Sequence, residues 1–91
     1  MNHKAFKAYV ITKRQASTMK ATKAQVNAVV AIFYKTSRDE RLRILSELTG
    51  RQIGSGNDLW FGEADAIISE YLGHKDEFKD MIDAIKNTHP G

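Results

Sequence analysis

Residues 49–58 (TGRQIGSGND) include the side chains best suited to binding phosphate. Glycines let backbone N–H groups approach an anion closely, and Arg51 and Ser55 would add a guanidinium and a hydroxyl. The stretch matches no nucleotide-binding motif: no Lys-Ser or Lys-Thr follows the glycines, and Leu59 occupies the third-glycine position of a dinucleotide fingerprint. Two interpretations remain, a phosphate-contacting loop and a helix connector with Ile53 in the core. We favour the connector.

Groups for catalysis are sparse elsewhere in the chain. It has no cysteine, and none of its three histidines has the spacing of a zinc-binding helix. Asp76, Asp80 and Asp83 could share one helix face and bind a cation. Lys79 lies between them and Lys86 follows them, which favours a solvated surface instead. We therefore expect no enzymatic activity, no metal and no cofactor.

Charge is distributed unevenly along the 91 residues, although the net charge is only +3. Eight of the 14 basic residues precede Asp39, which is the first of the 11 acidic residues. These eight are Lys4, Lys7, Lys13, Arg14, Lys20, Lys23, Lys35 and Arg38. Such asymmetry favours a basic segment that meets a polyanion, and the alternative is that one half of the fold docks on the other.

Two helices are predicted before the glycine-rich stretch. Thr22 with Gln25, and Ser37 with Glu40, are typical capping boxes, and each is followed by apolar residues at helical spacing. Gly50 is expected to end the second helix in a left-handed conformation. The apolar stripe of the first helix is predicted from Val26, Val29, Val30, Phe33 and Tyr34.

Two more helices are predicted after that stretch. Asp58 is expected to cap the third, whose apolar face includes Tyr71 and Leu72 and which Gly73 ends. The fourth is expected over residues 75–86, followed by a THPG tail. The predicted fold is all-α, a bundle of about four short helices in residues 19–91.

Residues 1–18 are predicted to form a basic arm in front of this domain. Residues 8–12 (AYVIT) are a short β-prone run, whereas Phe6, Tyr9 and Val10 also fit one side of a helix. The span is too short to decide between strand and helix. We expect an arm that becomes ordered on a partner or in a dimer.

Four motifs between residues 21 and 72 carry a family resemblance. They are T-K-A-Q (22–25), R-L-x-x-x-S-E-L-x-G-R-x-I (41–53), S-x-x-D-L (55–59) and E-A-x-x-I-I (63–68). This region resembles a small helical module in the C-terminal regions of phage recombination proteins, including single-strand annealing proteins, in particular those of actinobacteriophages. The resemblance implies a DNA-related role. Trp60 stands where the family usually has a capping threonine.

Two functions follow as expectations, both in the cytoplasm of a bacterial host and away from membranes. The first is non-enzymatic DNA binding of phage type, with phosphates contacted by Lys13, Arg14, Lys20, Lys23, Arg51 and Ser55. The second is a small protein-interaction module, either a homodimer or a binder of a host protein, that uses Tyr9, Trp60 and Phe61. The adjacent aromatics Trp60 and Phe61 also suit base stacking on single-stranded DNA.

Overall fold

The computed structural model describes residues 3–16 and 18–87. They form five α-helices: α1 (His3–Gln15), α2 (Lys23–Ile32), α3 (Arg38–Thr49), α4 (Phe61–Gly73) and α5 (Lys75–Lys86). The all-α prediction is confirmed, but the bundle has five helices, not four, because the predicted arm contains α1. The predicted THPG tail lies outside the described residues.

Helix α1 is an integral part of the bundle. Phe6 and Val10 are four residues apart, so they lie on one face of the helix, and both are completely buried. They belong to the same hydrophobic core as the other helices, and α1 packs on α3 and α4. The helical alternative for the N-terminal segment is thus correct, and residues 3–15 are not an arm separate from the domain.

Local capping signals explain where α2 and α3 begin and end. The Thr22 hydroxyl accepts from the Gln25 N–H at 3.1 Å, and the Gln25 side chain accepts from the Thr22 N–H at 2.9 Å. The Ser37 hydroxyl accepts from the Glu40 N–H at 3.2 Å. Gly50 has φ 73° at the C-cap of α3, where a side chain would be strained. Both predicted helix starts and the left-handed glycine are confirmed.

The prediction that Asp58 caps the third predicted helix is wrong. Asp58 ends a 3₁₀ turn (Gly56–Asp58), and α4 begins three residues later with Trp60 as its N-cap. The indole makes no cap hydrogen bond, but Glu63 Oε1 accepts from the Trp60 N–H at 2.8 Å. The glutamate half of a capping box is therefore kept. Helix α5 has the predicted bounds.

Phe78 joins three parts of the core. Its ring lies 6.3 Å from that of Phe6, 6.3 Å from that of Phe33 and 5.8 Å from that of Tyr71. Helices α1, α4 and α5 and the C-cap of α2 thus converge on one aromatic cluster. The pairs of Phe78 with Phe6 and with Tyr71 are edge-on, a geometry that stabilises beyond the area that they bury. Among the described residues, no helix has the length and apolarity required to cross a membrane.

Candidate nucleic-acid interface

The glycine-rich loop already holds an anion, the carboxylate of Asp58. Its Oδ2 accepts from the N–H groups of Gly54 at 2.9 Å and Ser55 at 3.0 Å. The Ser55 hydroxyl accepts from the Asn57 N–H at 3.0 Å. The Gly54 and Ser55 N–H groups are thus already bonded to an anion within the loop, and Ser55 caps the 3₁₀ turn. The connector interpretation is supported by Ile53, which is only 3% exposed.

Arg51 is also engaged inside the protein. Its Nε donates to Glu63 Oε2 at 3.0 Å, and its Nη2 donates to Glu63 Oε1 and to the Asp58 carbonyl, each at 2.6 Å. This is a bidentate guanidinium–carboxylate pair, the geometry that gives the strongest ion pairs. The expected role of Arg51 in phosphate contact is not supported, because its guanidinium fixes the loop to α4.

Glu63 is the centre of a buried electrostatic cluster. Its side chain is fully buried, and Arg14 Nη1 approaches Oε2 to 3.7 Å while Arg51 binds both oxygens. The Trp60 N–H is a further donor to Oε1. A buried carboxylate is tolerated only when it is paired and hydrogen-bonded. Glu63 therefore holds together α1, the glycine-rich loop and the start of α4.

Lys13 and Lys20 reach the same end of α4. Lys13 Nζ lies 2.8 Å from Asp65 Oδ2, and the hydrogen bond and charge of that carboxylate raise the pKa of Lys13 above its ordinary value. Lys20 Nζ lies 4.4 Å from the centre of a ring of Trp60, close enough for a cation–π interaction.

The segment that carries Lys20 is fixed to α4 by its backbone. The Ala21 N–H donates to the Leu59 carbonyl at 2.9 Å, and the Phe61 N–H donates to the Met19 carbonyl at 2.7 Å. Lys23 follows in the first turn of α2 and is exposed. We define the α4 N-terminal face as Lys13, Arg14, Lys20, Lys23 and Trp60. The fold thus brings to the start of α4 the side chains of three of the six predicted phosphate-binding residues, and beside it the segment that carries the fourth, Lys23.

The starts of two helices meet at this face. Gln25, in the first turn of α2, donates from Nε2 to the Phe61 carbonyl at 3.5 Å, so α2 and α4 begin side by side. Helix N-termini carry partial positive charge and attract anions. At the start of α4, however, the Trp60 N–H already donates to Glu63 and the Phe61 N–H to the Met19 carbonyl, so the attraction for phosphate must come mainly from the side chains.

The predicted partner-binding aromatics are not an exposed patch. Tyr9, Trp60 and Phe61 are each half-buried, and the Tyr9 ring packs 6.2 Å from that of Phe6. The large apolar side chains that are most exposed lie elsewhere, with Tyr34 at 76% and Leu72 at 75%. The sequence placed both of these on buried helix stripes, because periodicity gives the direction of a stripe but not its width.

Leu72 lines an apolar groove between α2 and α4. The groove has a volume of about 290 Å³, and its other lining residues are Ala28, Ala31, Ile32, Ile68 and Tyr71. Two of the lining residues from α2 are alanines, whose side chains are small. Sequence reasoning missed this groove, since it arises from the packing of two helices that are distant in the chain.

No group of three or more histidine or acidic side chains in the described part of the chain could hold a metal ion. Compared with protein-family models, curated proteins and solved structures, the chain matches none of them.

Proposed function

We propose that the protein is a non-enzymatic DNA-binding protein that contacts the phosphate backbone through its α4 N-terminal face. The observation that carries this proposal is that Lys13, Arg14 and Lys20 contact the start of α4, while Lys23 lies in the first turn of α2, which begins beside it. Cationic side chains and helix N-termini bind phosphates without reading base sequence. We therefore expect binding that is strong at low salt and indifferent to sequence.

Lys20 and Lys23 are expected to dominate the contact. Both are exposed, and neither has a carboxylate within 4.0 Å in the described part of the chain. Lys13 and Arg14 share their charge with Asp65 and Glu63, so their attraction for phosphate is weaker. Trp60 has a positioning role in this proposal, because the ammonium group of Lys20 lies over its ring.

The phage-type assignment is part of the proposal. It rests on the resemblance of residues 21–72 to a module of phage recombination proteins. The four motifs of that resemblance lie at helix caps, in the core and in the loop that Glu63 fixes. A DNA-related accessory role in a bacterial host cell is what the resemblance would add to backbone binding.

Fluorescence anisotropy with a labelled duplex, at salt between about 50 and 200 mM, tests the proposal. The logarithm of the affinity should fall linearly with the logarithm of salt, with a slope of about −2 to −4 for two to four phosphate contacts. The double variant Lys20→Glu/Lys23→Glu should bind at least about tenfold more weakly and lose about two units of that slope.

Lys4→Glu/Lys7→Glu is the matched control. It changes the net charge equally, and Lys4 lies nine residues before Lys13 on α1, about 13 Å along the helix axis. If both double variants weaken binding to the same extent, only net charge matters and the proposed face is wrong. Absence of duplex binding at low salt would reject DNA binding altogether.

A second candidate function is protein interaction through the apolar groove between α2 and α4. The exposure of Leu72 at 75% beside this groove favours it, because exposed apolar patches of monomers often mark interfaces. Light scattering should then show a dimer, or a pulldown should retain a host protein, and Leu72→Glu should abolish either result. A monomer that retains no partner would exclude this function.

A further inference from the structure

A second basic region lies at the other end of α4. A cleft of about 290 Å³ opens between the turn that follows α2 and helix α5. Its floor is apolar and includes Phe33, Phe78 and Ile82. Its rim carries two tyrosines and four lysines: Tyr34, Tyr71, Lys35, Lys75, Lys79 and Lys86.

The lysines of this cleft lack the ion pairs that neutralise the start of α4. Lys75, Lys79 and Lys86 are spaced by four and seven residues, which places them along one side of α5, and Lys35 faces them from the turn after α2. In the described part of the chain none of the four has a carboxylate within 4.0 Å. Asp83 is the one acidic residue of the described chain that lines the cleft, so positive charge is in excess.

The tyrosines present ring surface next to these charges. Lys35 Nζ lies 5.5 Å from the Tyr34 ring centre, and Lys75 Nζ lies 5.0 Å from that of Tyr71. Tyr71 packs edge-on against Phe78 at 79°, which fixes its orientation, while Tyr34 is 76% exposed. A planar ligand can therefore stack on Tyr34 while its anionic groups remain within reach of the lysines.

Aromatic rings combined with lysines in one groove are the arrangement by which proteins bind single-stranded nucleic acid. A volume of about 290 Å³ is at the small end of ligand sites and suits one base rather than several. An inorganic anion would use the lysines but leave the apolar floor and the exposed tyrosine without a role.

We propose that this cleft binds one nucleotide of a single-stranded nucleic acid, with the base stacked on Tyr34 and the phosphate held by Lys35 and Lys79. This inference rests on the proposed function in one respect, that the ligand is a nucleic acid. The site itself is a different one. Tyr71 lies ten residues after Phe61, so the cleft and the α4 N-terminal face are about 15 Å apart along α4.

Anisotropy with a labelled thymidine oligonucleotide of about ten residues, beside the same duplex as above, tests this site. Tyr34→Ala should weaken single-strand binding by about 5- to 150-fold, the loss of one stacked base, and leave duplex binding unchanged. Tyr34→Phe is the matched control: it keeps the ring and should bind as the wild type does. Lys79→Glu should weaken single-strand binding more than Lys4→Glu does.

The outcomes separate this inference from the proposed function. Equal losses for Tyr34→Ala and Tyr34→Phe, or no loss for Tyr34→Ala, would overturn stacking. Duplex binding without single-strand binding would overturn the cleft and leave the proposed function intact.

If the protein binds neither the duplex nor the single-stranded oligonucleotide, amide-shift titrations with thymidine monophosphate and with inorganic phosphate test the cleft by itself. Shifts at Tyr34 and Lys79 with the nucleotide alone would support the cleft while the proposed function fails. The absence of shifts with the nucleotide, or equal shifts with the nucleotide and with inorganic phosphate, would overturn the proposed nucleotide site in the cleft.

Discussion

The glycine-rich loop and the cleft beside α5 both carry groups that could bind a phosphate. In the loop these groups are bonded within the protein, whereas in the cleft, among the described residues, they are not. In the loop, Arg51 binds Glu63, and the Gly54 and Ser55 N–H groups bind Asp58. In the cleft, four lysines lack a carboxylate within 4.0 Å in the described chain, and the Tyr34 ring is exposed. A loop that looks suited to phosphate thus stabilises the fold, whereas lysines with no recognisable motif remain open to a ligand.

The largest effect should come from removing the centre of the buried cluster. Glu63→Ala removes the carboxylate that pairs with Arg51 and Arg14, and we expect a loss of about 3–4 kcal/mol in the free energy of unfolding, measured by urea denaturation. Glu63→Gln keeps an acceptor for the Trp60 N–H and should lose less. Lys79→Ala in the cleft should change stability by less than about 0.5 kcal/mol. Similar losses in the free energy of unfolding for Glu63→Ala and Lys79→Ala would contradict the contrast between a stabilising glycine-rich loop and a cleft whose lysines do not stabilise the fold.

The next effect concerns the close approach of α1 to α4 beside this cluster. A Cβ at Gly62 would overlap the backbone carbonyl of Lys13. Gly62→Ala should therefore destabilise by about 1–3 kcal/mol in thermal or urea unfolding, although alanine favours helix formation. Gly73→Ala, at the other end of α4, meets no atom within 4 Å and should be neutral or slightly stabilising. Equal stability of the two variants would mean that α1 does not pack as described.

A smaller effect is expected from the carboxylate inside the loop. Asp58→Ala leaves the Gly54 and Ser55 N–H groups without their acceptor and should cost about 1–2 kcal/mol, because both are partly exposed to water. Asp58→Asn retains an acceptor oxygen and should cost about half as much. Hydrogen exchange of the two amides should accelerate in Asp58→Ala. Unchanged exchange would show that the loop does not depend on this anion.

The smallest effect is the pH dependence of the Lys13–Asp65 pair on the surface. Because Asp65 raises the pKa of Lys13 in the folded protein, the pair stabilises fully at neutral pH and loses its effect as the pH rises through that value. The stability difference between the wild type and Lys13→Met should be small and constant between about pH 7 and 9, and should shrink above about pH 10.5. A difference that grows at high pH would contradict the sign of this shift.

The parts of the fold that sequence alone predicted are those fixed by near neighbours. The Thr22–Gln25 box and the Gly50 C-cap are set within a few residues, so their residue types were sufficient. For residues 3–15 the sequence did not decide between strand and helix, because Phe6, Tyr9 and Val10 span little more than one helical turn and overlap the β-prone run at residues 8–12.

The state of the candidate site could not be predicted, since it depends on pairs that are distant in sequence. Arg51 and Glu63 are twelve residues apart, and Lys35 and Lys79 meet at one cleft only after the turn that follows α2 comes to lie beside α5. The exposure of side chains could not be predicted either: Tyr34 continues the apolar stripe of α2, yet its side chain is 76% exposed.

An amide-shift titration of the labelled protein with a short single-stranded oligonucleotide tests the central claim most directly, because it reports both regions at once. We expect shifts at Tyr34, Lys35 and Lys79 and at the Trp60 indole N–H, while Gly54 and Ser55 stay unchanged because Asp58 already occupies their N–H groups. Shifts at Gly54 and Ser55, with none at Tyr34, would contradict it: the loop would then be the phosphate site and the cleft would be empty surface.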